Sequence, residues 1–272
     1  MSETGKPIGV FDSGIGGLTV VREIVRNLPG EDIVYLGDTA RLPYGTKSPE
    51  VVRRFSKENL AFLKSKDVKL IVVACNTASS IALPLLTEGE SIPVIGVIEP
   101  GAKAAISATK TGKVGVIGTT ATIRSGSYER ALKKIDPSIV IWSKACPLFV
   151  PLVEEGWIEE EVTYLTAGKY LGGLADFGAD VLVLGCTHYP LLKGVIQKVV
   201  GSGVKLVDSA TETALDVARV LGERGIENSS DRKGKIDIYV TDVPYSFKDV
   251  AERFLGSRIN TFSRVDLTEI EL

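Results

Sequence analysis

Short runs of β-branched and other apolar residues recur along the chain at 8–11, 33–36, 70–74, 94–97, 114–117, 139–142, 181–184, 205–207 and 236–240. Runs without polar alternation predict strands buried on both faces. The stretches between them carry helical spacing. Leu18, Val21, Val25 and Leu28 fall on one stripe, and Val52, Phe55, Asn59 and Phe62 on another, with the asparagine as its one polar member. Strand and helix alternate throughout, so the expected architecture is α/β with mostly parallel sheets, whose ligands sit at the carboxyl ends of the strands.

The pattern also repeats itself. LIVVACNTASS at 70–80 and VLVLGCTHYPL at 181–191 both run from an apolar strand through a small residue and a cysteine into a polar helix start. IGVFDSGIGGL at 8–18 and VGVIGTTATIR at 114–124 form a second pair, strand followed by small polar turn. The order occurs twice, which predicts two similar, pseudo-symmetric lobes, each a mostly parallel sheet flanked by helices, with the active site in the cleft between them. No linker rich in Pro, Gly or Ser separates the halves, and the charge-dense stretch at 222–235 is expected to be a surface loop.

The 272 residues are 44% hydrophobic and 24% charged, enough to bury a sizeable core and to exclude disorder as the main state. Thirty-two basic residues against 34 acidic ones leave a formal charge of −2, so no positive field draws in nucleic acid. No apolar run approaches the ~20 residues that cross a bilayer, and the opening residues lack a basic stretch before a long apolar core. A cytoplasmic protein with a small-molecule partner, no nucleic acid and no membrane is expected. Three cysteines without a CxxC pair and a single histidine leave no conventional metal site, and no cofactor motif is present.

Chemistry concentrates at the strand ends. Cys75 lies where a strand ends and a helix begins near Thr77 or Ala78, and a helix N-terminus favours thiolate over thiol. Cys186 is expected in the same setting, with Pro190 in the first helical turn. A free cysteine is more commonly a small buried hydrophobe. Two in matching contexts, each followed by hydroxyl or amide residues, point instead to function, whereas Cys146 among apolar neighbours reads as structural. Asp12, with Ser13 and Gly14, Gly16 and Gly17, forms a turn whose N–H groups can approach an anion, although Asp or Ser there also serves as a plain helix cap. These glycines do not match the dinucleotide spacing GxGxxG. His188 gives Cys186 a titrating neighbour, Asp12 could serve Cys75 in the same way, and Glu154 has a weaker claim because acids on amphipathic segments usually face water. Two thiols on opposing lobes could take a proton from one face of an acidic C–H and deliver one to the other, inverting a stereocentre. Enantiomers have equal free energy, which an approximately mirrored site suits.

Taken with YLGDTARLPYGT at 35–46 and Val207–Ser209, these motifs resemble those of the bacterial glutamate racemases in the cofactor-independent aspartate/glutamate racemase superfamily. The resemblance covers nearly the whole chain. It implies interconversion of L- and D-glutamate for peptidoglycan without pyridoxal phosphate or metal, and a homodimer. It implies lobes of 1–97 with 210–272 and of 98–209. Cys75 would be the base toward D-glutamate, assisted by Asp12, and Cys186 the base toward L-glutamate, assisted by His188. Ser13, Asn76, Thr77 and Thr187 would hold the amino-acid head group, and Tyr44, Gly45, Thr119 and Thr122 the side-chain carboxylate; Asp12 and His188 also count among the substrate-binding residues. Only seven residues precede the first strand, so activation through an N-terminal extension is not expected. A racemase for aspartate or another amino acid, a one-cysteine decarboxylase and a non-catalytic amino-acid-binding module are the competing readings. The last two have no use for both thiols.

Overall fold

A computed structural model of the chain describes residues 2–267 apart from 231, 244, 246 and 260. In chain order, β1 (Ile8–Asp12), α1 (Leu18–Asn27), β2 (Ile33–Gly37), α2 (Pro49–Ser65), β3 (Leu70–Val73), α3 (Asn76–Thr87) and β4 (Val94–Gly96) form one half. The crossing helix α4 (Ile98–Ala108) leads to β5 (Lys113–Gly118), α5 (Thr120–Ser125), α6 (Ser127–Ile135), β6 (Val140–Ala145), α7 (Phe149–Glu154), α8 (Glu161–Phe177), β7 (Val181–Gly185), α9 (Lys193–Val200) and β8 (Lys205–Asp208). The chain then returns through α10 (Ser209–Arg224) to β9 (Ile236–Val240), α11 (Phe247–Leu255) and the two-residue β10 (Ser263–Arg264).

All nine expected strands form, and they form two sheets. The first has the order β10-β9-β2-β1-β3-β4 and the second β6-β5-β7-β8, with every pairing parallel. Read from the other edge, the second sheet is β8-β7-β5-β6, the same arrangement as β4-β3-β1-β2. The sequence repeat is therefore a repeat of topology, and β9 and β10 are additions to the first sheet only. β1, β2, β3 and β7 are buried along their whole length, which is why they read as unbroken apolar runs. In each lobe the chain leaves the central strand toward one side and returns on the other. Cys75 and Asp12 flank this switch in the first lobe, and Cys186 and Thr119 flank it in the second.

The two helical stripes face inward. Val52, Phe55, Asn59 and Phe62 of α2 are all buried, and the polar member is satisfied, its Nδ2 donating to the Tyr44 hydroxyl at 3.0 Å. Ser48 caps this helix by accepting from Val51 N–H, and Pro49 sits in the first turn, where its missing N–H costs nothing. The stretch at 222–235 is only in part a loop: its first three residues close α10, after which the described residues are exposed or half-buried. Among the described residues no helix is long and apolar enough to cross a membrane.

Candidate active site

A narrow cleft lies between the carboxyl ends of the two sheets. Ser13 and Gly14 after β1, Leu42 to Gly45 after β2 and Cys75 to Thr77 after β3 line it from the first lobe. Thr119 after β5, Val150 and Glu154 on α7, and Cys186 to His188 after β7 line it from the second. Both cysteines singled out in the sequence thus face one cavity. Cys146 does not line it and is fully buried.

Cys75 is the N-cap of α3, its Sγ accepting from Ala78 N–H at 3.5 Å and donating to Ser13 Oγ at 3.5 Å. The helix start does not produce the expected low-pKa thiol. Burial, and then the negative charge of Asp12, push Cys75 up to about 12. At neutral pH it carries its proton. Cys186 departs from its expected setting: the segment after it is a short 3₁₀ turn, Tyr189–Leu192, and the α-helix begins only at Lys193. Its electrostatic partner is His188, with Nδ1 3.9 Å from Cys186 Sγ and Nε2 3.0 Å from Glu154 Oε1. Burial opposes the imidazolium, but the hydrogen bonds to Cys186 and Glu154 outweigh it and push His188 up to about 10. The site is consequently mirrored in backbone but not in charge, a buried acid standing near one thiol and an imidazolium near the other.

Asp12 is fully buried behind the cavity wall. Gly14 N–H donates to its Oδ2 at 2.9 Å and Thr187 Oγ1 to its Oδ1 at 3.5 Å. Burial raises its pKa, with His188 and these hydrogen bonds pulling the other way. The turn that carries Ser13 is fixed from below by Tyr35, whose hydroxyl donates to Gly14 O at 2.8 Å. Gly16 is required by space: a Cβ there would stand 2.3 Å from Thr187 Oγ1 and 2.7 Å from His188 Nδ1. Gly16→Ala is therefore expected to displace both residues, lowering kcat/KM by about a hundredfold and stability by about 1–3 kcal/mol, measurable by paired activity and melting curves.

Not every assigned binding residue lines the cleft. Thr122 lies behind Thr119, sharing hydroxyl contacts of 2.9 Å with Thr119 and 3.2 Å with Thr77, so it steadies the wall instead of forming it. Tyr44 lines the cavity, but its hydroxyl is spent elsewhere, donating to Asp38 and accepting from Asn59. What Tyr44 and Gly45 can offer a ligand is backbone. Glu154 belongs to the site more firmly than its amphipathic segment suggests: it is partly exposed because it lines the cleft, and its partner is 34 positions away. Phe254 on α11, whose ring stands edge-on to the His188 imidazole at 5.0 Å, carried no sequence signal at all. Among the described residues no group of three or more His, Cys, Asp or Glu is placed to hold a metal ion.

Twin parallel sheets closing on a cleft with one thiol from each define a class, the isomerases that move a proton at a carbon centre, and comparison with known proteins narrows it. Residues 8–217 match the family described as Asp/Glu/Hydantoin racemase. The chain belongs to this family and is an amino-acid racemase. A glutamate racemase of Geobacter metallireducens is 55% identical over 262 residues, 96% of this chain and 97% of its own. The crystal structure of glutamate racemase from Francisella tularensis in complex with D-glutamate superposes with a TM-score of 0.92 at 40% identity, covering 97% of this chain and 98% of that one. An aspartate racemase of Picrophilus torridus, at 20% identity and a TM-score of 0.59 over 82% of this chain and 100% of its own, shares the fold.

Proposed function

We propose that the chain interconverts L- and D-glutamate by two-base proton transfer between Cys186 and Cys75. The observation that carries this is the placement of the two thiols on opposite lobes of one narrow cleft. Beside it stands the similarity to glutamate racemases over nearly the full length, against the fold-level likeness to an aspartate racemase. In the L to D direction the Cys186 thiolate takes the Cα proton, leaving its electron pair on the α-carbon and carboxylate, and Cys75 gives its thiol proton to the opposite face. The products are D-glutamate, a Cys186 thiol and a Cys75 thiolate. The reverse direction exchanges these roles. His188 supplies positive charge beside Cys186 Sγ, held in place by Glu154, while Asp12 assists at Cys75. Ser13, Asn76, Thr77 and Thr187 hold the head group. Thr119 and the backbone at Tyr44 and Gly45 receive the side-chain carboxylate.

The same reading extends to D-glutamate supply for peptidoglycan, to a homodimer and to lobe limits at 97/98 and 209/210. Circular dichroism of L-glutamate, L-aspartate and L-alanine incubated with the protein tests the activity. Glutamate alone should lose its signal, and the rate should survive chelators and carbonyl reagents, because neither the donor set nor any sequence motif fits a metal or pyridoxal phosphate. Activity lost on dialysis and restored by either addition overturns the cofactor-free reading, and faster loss of the aspartate signal overturns the choice of substrate.

A further inference from the structure

Tyr128 has no part in the proton transfers, yet its hydroxyl reaches from α6 across to α3 of the other lobe and donates to Asn76 Oδ1 at 2.7 Å. The ring is 3% exposed and sits in a space that two glycines leave open. A Cβ on Gly185 would come within 2.9 Å of the ring, and one on Gly101 within 3.3 Å of the hydroxyl oxygen. Burial holds the phenol above its ordinary range, outweighing the influence of Ser209 at the start of α10, so it keeps the proton it donates. Asn76 is 2% exposed and lines the cleft next to Cys75. Its Nδ2 has no hydrogen-bond partner among the described residues. A primary amide offers one acceptor and one two-proton donor. With the acceptor taken by Tyr128, the donor is what remains for a substrate.

We propose that Tyr128 is a positioning residue: by occupying Asn76 Oδ1 it turns the amide so that the NH2 group faces the head-group subsite, which favours a carboxylate over an ammonium group there. This rests on the proposed assignment of Asn76 to the head group. An amide free to rotate could present its oxygen instead, and the subsite would then lose its preference for the anionic end of the amino acid.

The test is a double-mutant cycle of Tyr128→Phe and Asn76→Ala, with kcat and KM measured for both glutamate enantiomers. Tyr128→Phe should raise KM about tenfold in both directions and leave kcat within about twofold, the size expected for one buried hydrogen bond. In the Asn76→Ala background Tyr128→Phe should have no further effect, since no amide is left to orient. Glutarate, which has two carboxylates and no ammonium group, should inhibit Tyr128→Phe more weakly than wild type by a similar factor. Asn76→Asp should bind glutamate poorly even with Tyr128 intact, because it can accept from the phenol but has no NH2 to offer, and this variant does not depend on the tolerance of position 128. An unchanged KM in Tyr128→Phe, or a penalty that persists in full without Asn76, overturns the role of Tyr128 and leaves the head-group assignment standing. Normal glutamate binding by Asn76→Ala overturns both.

Discussion

Cys186→Ala is expected to slow racemisation by more than about a thousandfold while leaving Cys75 able to exchange the α-proton of D-glutamate. Each thiol comes from a different lobe and is expected to face one side of the α-carbon. Removing one should therefore abolish inversion without abolishing abstraction on the other face. In heavy water, given exchange on Cys75 faster than return, deuterium should enter D-glutamate without formation of L-glutamate. Cys75→Ala should do the reverse and label L-glutamate alone. Both partial reactions should be slow, because the carbanion-like intermediate depends on the electrostatics of the whole site. Deuterium in both enantiomers from either single variant, read by mass spectrometry after chiral separation, would replace the two-base scheme with a one-base or water-mediated one.

His188→Asn is expected to cost about a hundredfold to a thousandfold in kcat/KM. An equilibrium constant of one makes that loss equal in the two directions, so the direction-specific signal is the primary isotope effect with Cα-deuterated substrate, which should grow more from L to D than from D to L. Equal effects would remove the special link between His188 and Cys186. The pH profile carries a second signature. His188 is pushed up to about 10 and Cys75 to about 12, so as pH rises in the L to D direction the imidazolium is the first required proton to be lost. Glu154 helps to hold that proton. Glu154→Gln should therefore move the alkaline limb to lower pH, and an unmoved limb would show that the 3.0 Å contact to His188 has no electrostatic consequence for the reaction.

The sequence made the frame of this protein legible because its central strands are buried on both faces, where apolar runs and strand ends coincide. β10 escaped notice for the opposite reason: both of its residues are exposed and it adds two residues to an edge. At the site, what could be read was what lies at a strand end, namely Asp12, Cys75, Thr119 and Cys186. What could not be read is set by distant partners. Glu154 gains its importance from His188, and Tyr44 loses its hydroxyl to Asp38 and Asn59. Thr122 stands on the first turn of α5, where its hydroxyl is tied to Thr119 and Thr77. The charge state of Cys75 is not legible in the sequence, because a helix start, visible there, favours thiolate less than burial beside Asp12, visible only in three dimensions, disfavours it.

The pairing of β2 with β9 has a consequence for how the protein comes into being. Thr241, just past β9, donates to Asp38, just past β2, across 203 positions, and Asp38 in turn holds Arg41 and Tyr44 in the loop that lines the cleft. At synthesis rates of about 5–20 residues per second, roughly 10–40 s separate the emergence of the two strands from the ribosome. The four strands of the second sheet all emerge within that interval. During it β2, apolar along its whole length, has an open edge of the kind that other chains can pair with. A nascent chain or a product clipped before β9 would therefore expose the unpaired edge of β2 and leave the cleft-lining loop without its contact from Thr241.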